Sequence, residues 1–138
     1  MGASIVFDLG LSRLAPYLIF FIFLVNFIAV KLYWYSAIWY FDMIMHFIGG
    51  FWVGLCFFYL FPGKNSISGI LKAILFVLLV GIGWEVFEAI VNSLTVHDSL
   101  DYSDTFSDLF FDISGGLCAI LYIWRKQSRL LFVAEQAQ

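Results

Sequence analysis

Four apolar runs dominate the chain, at residues 16–35, 39–61, 69–92 and 106–124. Each is close to the roughly 20 residues that carry a helix across a bilayer core about 30 Å thick. In lipid the backbone has to satisfy its own hydrogen bonds, and a helix does so within each segment. The rest of the composition agrees, with 63% hydrophobic and only 12% charged residues over 138 positions, far from the balance of soluble domains. The expectation is an all-α polytopic membrane protein, a four-helix bundle forming one transmembrane domain over 1–138, with no separate soluble domain. Cys56 and Cys118 both lie inside apolar runs and offer no disulfide framework. A net charge of −3 says little, and nucleic acid is not an expected partner.

Pro62-Gly63 punctuates the second connection, and the Ser/Asp-rich stretch 92–104 marks the third. Residues 1–14 are too sparsely apolar to span; Ile5, Phe7, Leu9 and Leu11 suggest a short interfacial piece. The first run is long and no small-residue cleavage site follows it, so it is expected to remain attached rather than act as a signal peptide. There is no internal repeat. Arg13, Lys64, Lys72, Arg125, Lys126 and Arg129 fall on the side shared by the two termini, with only Lys31 opposite. That asymmetry places both termini in the cytoplasm of a multi-pass plasma (inner) membrane protein. Tyr33, Trp34, Tyr35, Trp39 and Tyr40 then form an aromatic girdle at the outer interface.

The acids segregate as sharply. Of ten, only Asp8 and Glu135 lie away from the outer half or the outer loop. The second span enters with Asp42 and His46 at i,i+4, the third leaves with Glu85 and Glu88 at i,i+3, and the fourth enters with Asp108 and Asp112 at i,i+4. Each pair shares one helix face. At about 1.5 Å per residue, Asp42, Glu88 and Asp108 form an upper tier, with His46, Glu85 and Asp112 about one turn deeper. Glycines follow each pair on the same face: Gly49 and Gly50 below His46, Gly81 below Glu85, Gly115 and Gly116 below Asp112. Small residues let membrane helices approach closely, so the three acidic faces are expected to converge above a glycine-lined crossing, which Gly54 extends.

Two carboxylates about 4 Å apart repel by roughly 4 kcal/mol at an effective dielectric of 20, and in lipid both also lose hydration. Five such groups without a lysine or arginine at that depth need protons or a cation. Oxygen-rich ligands with one imidazole suit Mg²⁺, Mn²⁺ or Ca²⁺, with Zn²⁺ or iron as lesser alternatives. One or two ions held by Asp42, His46, Glu85, Glu88, Asp108 and Asp112 is favoured over a shared-proton network. Asp104 is better placed to begin the fourth helix than to ligate. His97, Asp98 and Asp101 read as solvated loop residues, and Asn26 as a packing hydrogen bond.

Asp42-x-x-x-His46, Glu85-x-x-Glu88 and Asp108-x-x-x-Asp112-x-x-Gly115 together resemble the VanZ-like membrane proteins. Their pattern is D-x-x-x-H, E-x-x-Q and D-x-x-x-N-x-x-G on successive spans. Glu88 and Asp112 depart from it, an acid replacing each amide, and in this the chain is closest to the YjdF-type inner-membrane proteins. The resemblance covers the second to fourth spans. It implies a small bacterial or archaeal polytopic membrane protein, in a group named for a glycopeptide-resistance determinant, and it implies no reaction.

Three functions fit such a site. The first is a metal-dependent hydrolase or transferase acting on a lipid-linked phosphate or head group. His46 or Glu88 would carry the proton, and Phe47, Phe51, Phe106 and Phe110 would flank a lipid tail, although packing is an equally good use for those rings. The lack of an Arg or Lys phosphate contact counts against it. The second is a non-catalytic envelope, resistance or lipid-binding protein. The third, proton or cation transport, is weakest because no charge lies between the cluster and the inner rim at Lys72 and Arg125; a homo-oligomer would be needed to create a path.

Overall fold

The structure is a computed structural model that describes residues 10–62, 66–95 and 102–136. The described elements are all helices: α1 (Leu11–Lys31), α2 (Trp34–Ala37), α3 (Phe41–Leu60), α4 (Ile67–Thr95) and α5 (Tyr102–Gln136). Four of them, α1, α3, α4 and α5, are long and apolar enough to cross a membrane. The expected interfacial segment lies mostly in residues 1–9, outside the described residues, as do His97, Asp98 and Asp101.

Helix ends differ from the apolar boundaries for identifiable reasons. α1 starts at Leu11 because Gly10, at φ 62°, supplies a left-handed cap that glycine adopts without steric cost; Pro16 falls inside the helix. At the other end α1 stops at Lys31, four residues early, since Tyr33 turns left-handed at φ 57°. Such backbone costs a non-glycine residue about 1–2 kcal/mol. Local contacts offset it: Trp34 and Tyr35 on α2 stack edge-on against Phe41 at 5.5 and 5.0 Å, and the Tyr35 hydroxyl donates to Asn26 Oδ1 at 2.6 Å. Ser66 starts α4, its Oγ accepting from the Gly69 N–H. α5 continues twelve residues past Trp124 to Gln136, because a switch to polar residues ends a membrane span but only a breaker ends a helix, and no Gly or Pro follows Gly116. At 1.5 Å per residue α5 is about 52 Å long and outruns a bilayer core.

α3 packs most extensively on α5; α4 packs on α5 and α3, and α1 on α3. Gly50 meets Asp112, Gly115 meets Phe47 and Phe51, and Gly54 meets Gly116 and Ala119, so α3 and α5 run parallel. Gly81 meets Leu109 and Asp112 whereas Gly116 meets Val77, which makes α4 antiparallel to α5. A Cβ added to Gly50 would strike the Asp112 backbone, and one on Gly115 the Phe47 carbonyl. The helices touch backbone to backbone at this crossing, which van der Waals packing between membrane helices requires. Gly49, expected to share that role, faces open space: a Cβ there meets nothing within 4 Å.

Toward the end where Arg13, Lys72 and Arg125 lie, a dry core forms around Leu55, Ala73, Ala119 and Ile123, with Leu11, Phe57, Phe58 and Ile120. Trp52 ties α1 to α3 by donating from Nε1 to the Ala15 carbonyl at 2.8 Å. Replacing it with phenylalanine removes one hydrogen bond and should cost about 1 kcal/mol of stability, read as a lower thermal midpoint in detergent. The α1 and α4 spans bury only 11% of their residues, against 39% for α3 and α5; their apolar surfaces face lipid.

Candidate metal centre

Six side chains from α3, α4 and α5 meet at the opposite end. Close contact at the glycine crossing brings the α3 and α5 faces together directly, and Gly81 lets α4 seat against the Asp112 carboxylate. His46 is the hub, 7% exposed. Its Nε2 lies 3.7 Å from Asp42 Oδ1, 3.9 Å from Glu85 Oε1 and 3.9 Å from Asp108 Oδ2. Its Nδ1 faces Asp112 Oδ2 at 3.4 Å. Asp42, His46 and Asp108 each offer a ligand atom within 4.8 Å of the others, and so do His46, Glu85 and Glu88. The two groups share one imidazole.

Asp108 and Asp112 are buried with His46, while Asp42 is the most open of its carboxylate neighbours, its side chain 30% exposed. Glu85 Oε1 and Asp108 Oδ1 are buried without a hydrogen-bond partner. Orphaned anionic oxygens are costly at this depth, and two of them beside one imidazole mark a place where something positive belongs. Asp104 falls in the exposed first turn of α5, where an acid complements the helix dipole.

Tyr35, on α2 and outside the spans, approaches the same carboxylates. Partial burial and the nearby charges of Asp42 and Glu88 push its phenol up to about 12. The folded protein therefore keeps a proton that the unfolded chain releases above 10, the ordinary value. This contributes stability that is full below that value and lost as pH rises toward 12. Tyr35→Phe should flatten the fall in thermal midpoint between about pH 10 and about pH 12.

The four phenylalanines expected to flank a lipid tail sit in different surroundings. Phe51 packs on the core and stacks on Tyr122, a position fixed by the glycine crossing. Phe47 is half-buried, with its carbonyl against Gly115. Phe106 and Phe110 are exposed. A different feature adjoins the cluster: a cleft of about 220 Å³ between α4 and α5, walled by Ile82, Val86, Ala89 and Leu109, with Glu85 and Thr105 among its lining. Its sequence signal is faint, three apolar residues on the Glu85 face of α4 at helical spacing.

A four-span helical membrane protein with a histidine-centred carboxylate cluster at one end is the class that this fold and site define. A family profile described as "Predicted membrane protein (DUF2238)" matches residues 3–129, and the chain belongs to that family. Comparison with curated proteins and with solved structures found no match.

Proposed function

We propose that His46 Nε2, Asp42, Glu85 and Asp108 hold one divalent cation, Mg²⁺, Mn²⁺ or Ca²⁺, and that the protein hydrolyses or transfers a phosphate-bearing lipid head group at this centre. The observation that carries the proposal is the ring of three carboxylate oxygens, one from each of three helices, around a single imidazole nitrogen. At 3.7–3.9 Å they are too far for hydrogen bonds. Donors about 2.1–2.4 Å from a common ion stand roughly 3.0–3.4 Å apart when adjacent and about 4.2–4.8 Å when opposite, and the observed spacing falls between. Asp42, Glu85 and Asp108 all converge on Nε2, which favours one ion over two.

Asp112 is better understood as the residue that orients His46. A carboxylate accepting from the second ring N–H fixes the tautomer and ring plane of a ligating histidine. Asp112→Asn should weaken metal affinity about 10–100-fold without abolishing it, as measured by competitive titration with a chelator. The VanZ-like proteins that the chain resembles carry asparagine there, whose carbonyl can still accept.

When bound, the ion supplies Lewis-acid chemistry, polarising a phosphoryl oxygen and offsetting the missing arginine. Glu88 makes no contact with His46 as short as the other carboxylates make, yet stays within 4.8 Å of the Glu85 and His46 ligand atoms. It is placed to take a proton from attacking water as the water oxygen bonds to phosphorus, and to return it to the lipid oxygen as that P–O bond breaks. The dry floor beneath, where Val77 closes on Gly116, favours a closed pocket over a conduction path. With Arg13, Lys72, Arg125, Lys126 and Arg129 at the far end, we place that end in the cytoplasm of a plasma membrane and the centre on the outer side.

Phosphate release from phosphatidic acid or a long-chain isoprenyl phosphate in vesicles tests the reaction. Glu88→Gln should lose about 100-fold in rate while keeping its metal. A wild-type protein that binds metal yet releases no phosphate from either lipid would make the centre a binding site rather than a catalytic one.

A further inference from the structure

We infer that the cleft between α4 and α5 is a lateral port that takes one hydrocarbon chain of a phosphate-bearing lipid, its head group held at the His46 cluster. The inference rests on the cluster being a metal centre for such lipids, as proposed above, and adds how the substrate enters and which part of it is recognised.

Three observations lead there. The cleft and the cluster share a residue: Glu85 lines the cleft and its Oε1 lies 3.9 Å from His46 Nε2, so the cleft runs one side chain away from the charged centre. The walls are apolar and belong to helices whose outer surfaces, Val86 and Ile82 among them, are exposed within a membrane span, where the surrounding medium is hydrocarbon. From Ile82 to Ala89 the cleft follows α4 for about 10 Å. Its 220 Å³ holds about seven groups of water's liquid volume, enough for part of one chain and too little for two side by side. Third, aromatics gather beside Asp42 at the cluster's end of the bundle. Trp34 and Tyr35 stack on Phe41, the buried neighbour of Asp42, and the Asn26 bond pins Tyr35 in place.

A lipid entering sideways exchanges bilayer contacts for equivalent contacts with Ile82, Val86, Ala89 and Leu109, so the chain moves at little cost while the head group meets the cation. The cleft thereby selects for a phosphate carried on a hydrocarbon chain over a free phosphate ester.

Phosphatidic acid with a diazirine midway along one acyl chain, reconstituted with the metal-loaded protein and irradiated, should label Leu109 and its cleft neighbours about tenfold above lipid-facing Phe23 on α1. Excess unlabelled phosphatidic acid should remove the cleft labelling and leave Phe23 unchanged, and excess inorganic phosphate should not remove it. Ala89→Trp and, independently, Val86→Trp should reduce Leu109 labelling to the Phe23 level with metal content unaltered. Equal labelling of Leu109 and Phe23, or cleft labelling that neither competitor lipid nor tryptophan diminishes, would overturn the port. A wild-type protein with selective, competable cleft labelling and no bound metal would instead overturn the metal centre, so the two failures are told apart.

Discussion

Asp108→Asn is expected to strip the purified protein of the divalent cation proposed for the His46 cluster. Elemental analysis after dialysis against metal-free buffer is expected to give about one equivalent for the wild type and almost none for the variant. The size of the effect follows from where Asp108 sits. Its side chain is 4% exposed, one oxygen approaches His46 Nε2 and the other has no partner. The amide keeps the shape and one neutral oxygen but removes a charge at lipid depth and puts an N–H₂ donor where an acceptor is needed. Removing one member of a buried charge pair costs about 3–5 kcal/mol, which is a loss of affinity of roughly 100-fold to more than 1000-fold. Glu85→Gln should act in the same direction, and exposed Asp104→Asn should retain the metal. Equal metal in wild type, Asp108→Asn and Glu85→Gln would mean that the ion sits elsewhere. A wild type that takes up no divalent ion on titration would leave protons shared among the carboxyls as the neutralising charge.

Gly50→Ala and Gly115→Ala are expected to be the most damaging single-carbon changes in the bundle. In each case the new Cβ lands on backbone, of Asp112 or of Phe47, and backbone cannot swing aside as a side-chain tip can. Ordinary overpacking costs about 1–3 kcal/mol; here α3 and α5 have to separate along their whole shared face, so the loss should reach the top of that range or exceed it. Because the same crossing brings His46 to Asp112 and Asp108, metal binding should fail together with thermal stability. Gly49→Ala is the matched control. It meets nothing within 4 Å and should gain up to about 1 kcal/mol from helix propensity. Thermal midpoints and the yield of monodisperse protein in detergent read both effects. Equal tolerance of alanine at 49, 50 and 115 would refute the close crossing.

Span count and the three acidic faces were legible in the chain because both depend on local periodicity. A run of about 20 apolar residues has one low-cost conformation in lipid, and i,i+4 spacing fixes a shared face once the helix exists. The pairing of Asp42 with His46 needed nothing further. Helix ends were less legible: α1 stops at a left-handed Tyr33, a backbone state that no local residue pattern announces, and α5 runs on past the polar boundary. Gly49 and Gly50 sit side by side and look interchangeable in sequence, yet a rotation of about 100° per residue puts one on the crossing and the other in open space.

The sequence by itself determined that this is a four-span helical membrane protein and that carboxylates from three spans share a depth with one histidine, since hydropathy and helical period are properties of short segments. Only the tertiary structure decided that His46 stands at the centre, that Asp112 takes its second nitrogen, that Phe51 belongs to the packing and that a cleft opens beside Glu85. Those outcomes depend on how closely and at what rotation three helices cross, and that is set by backbone contacts between residues more than sixty positions apart, such as Gly50 and Asp112, which no local pattern encodes.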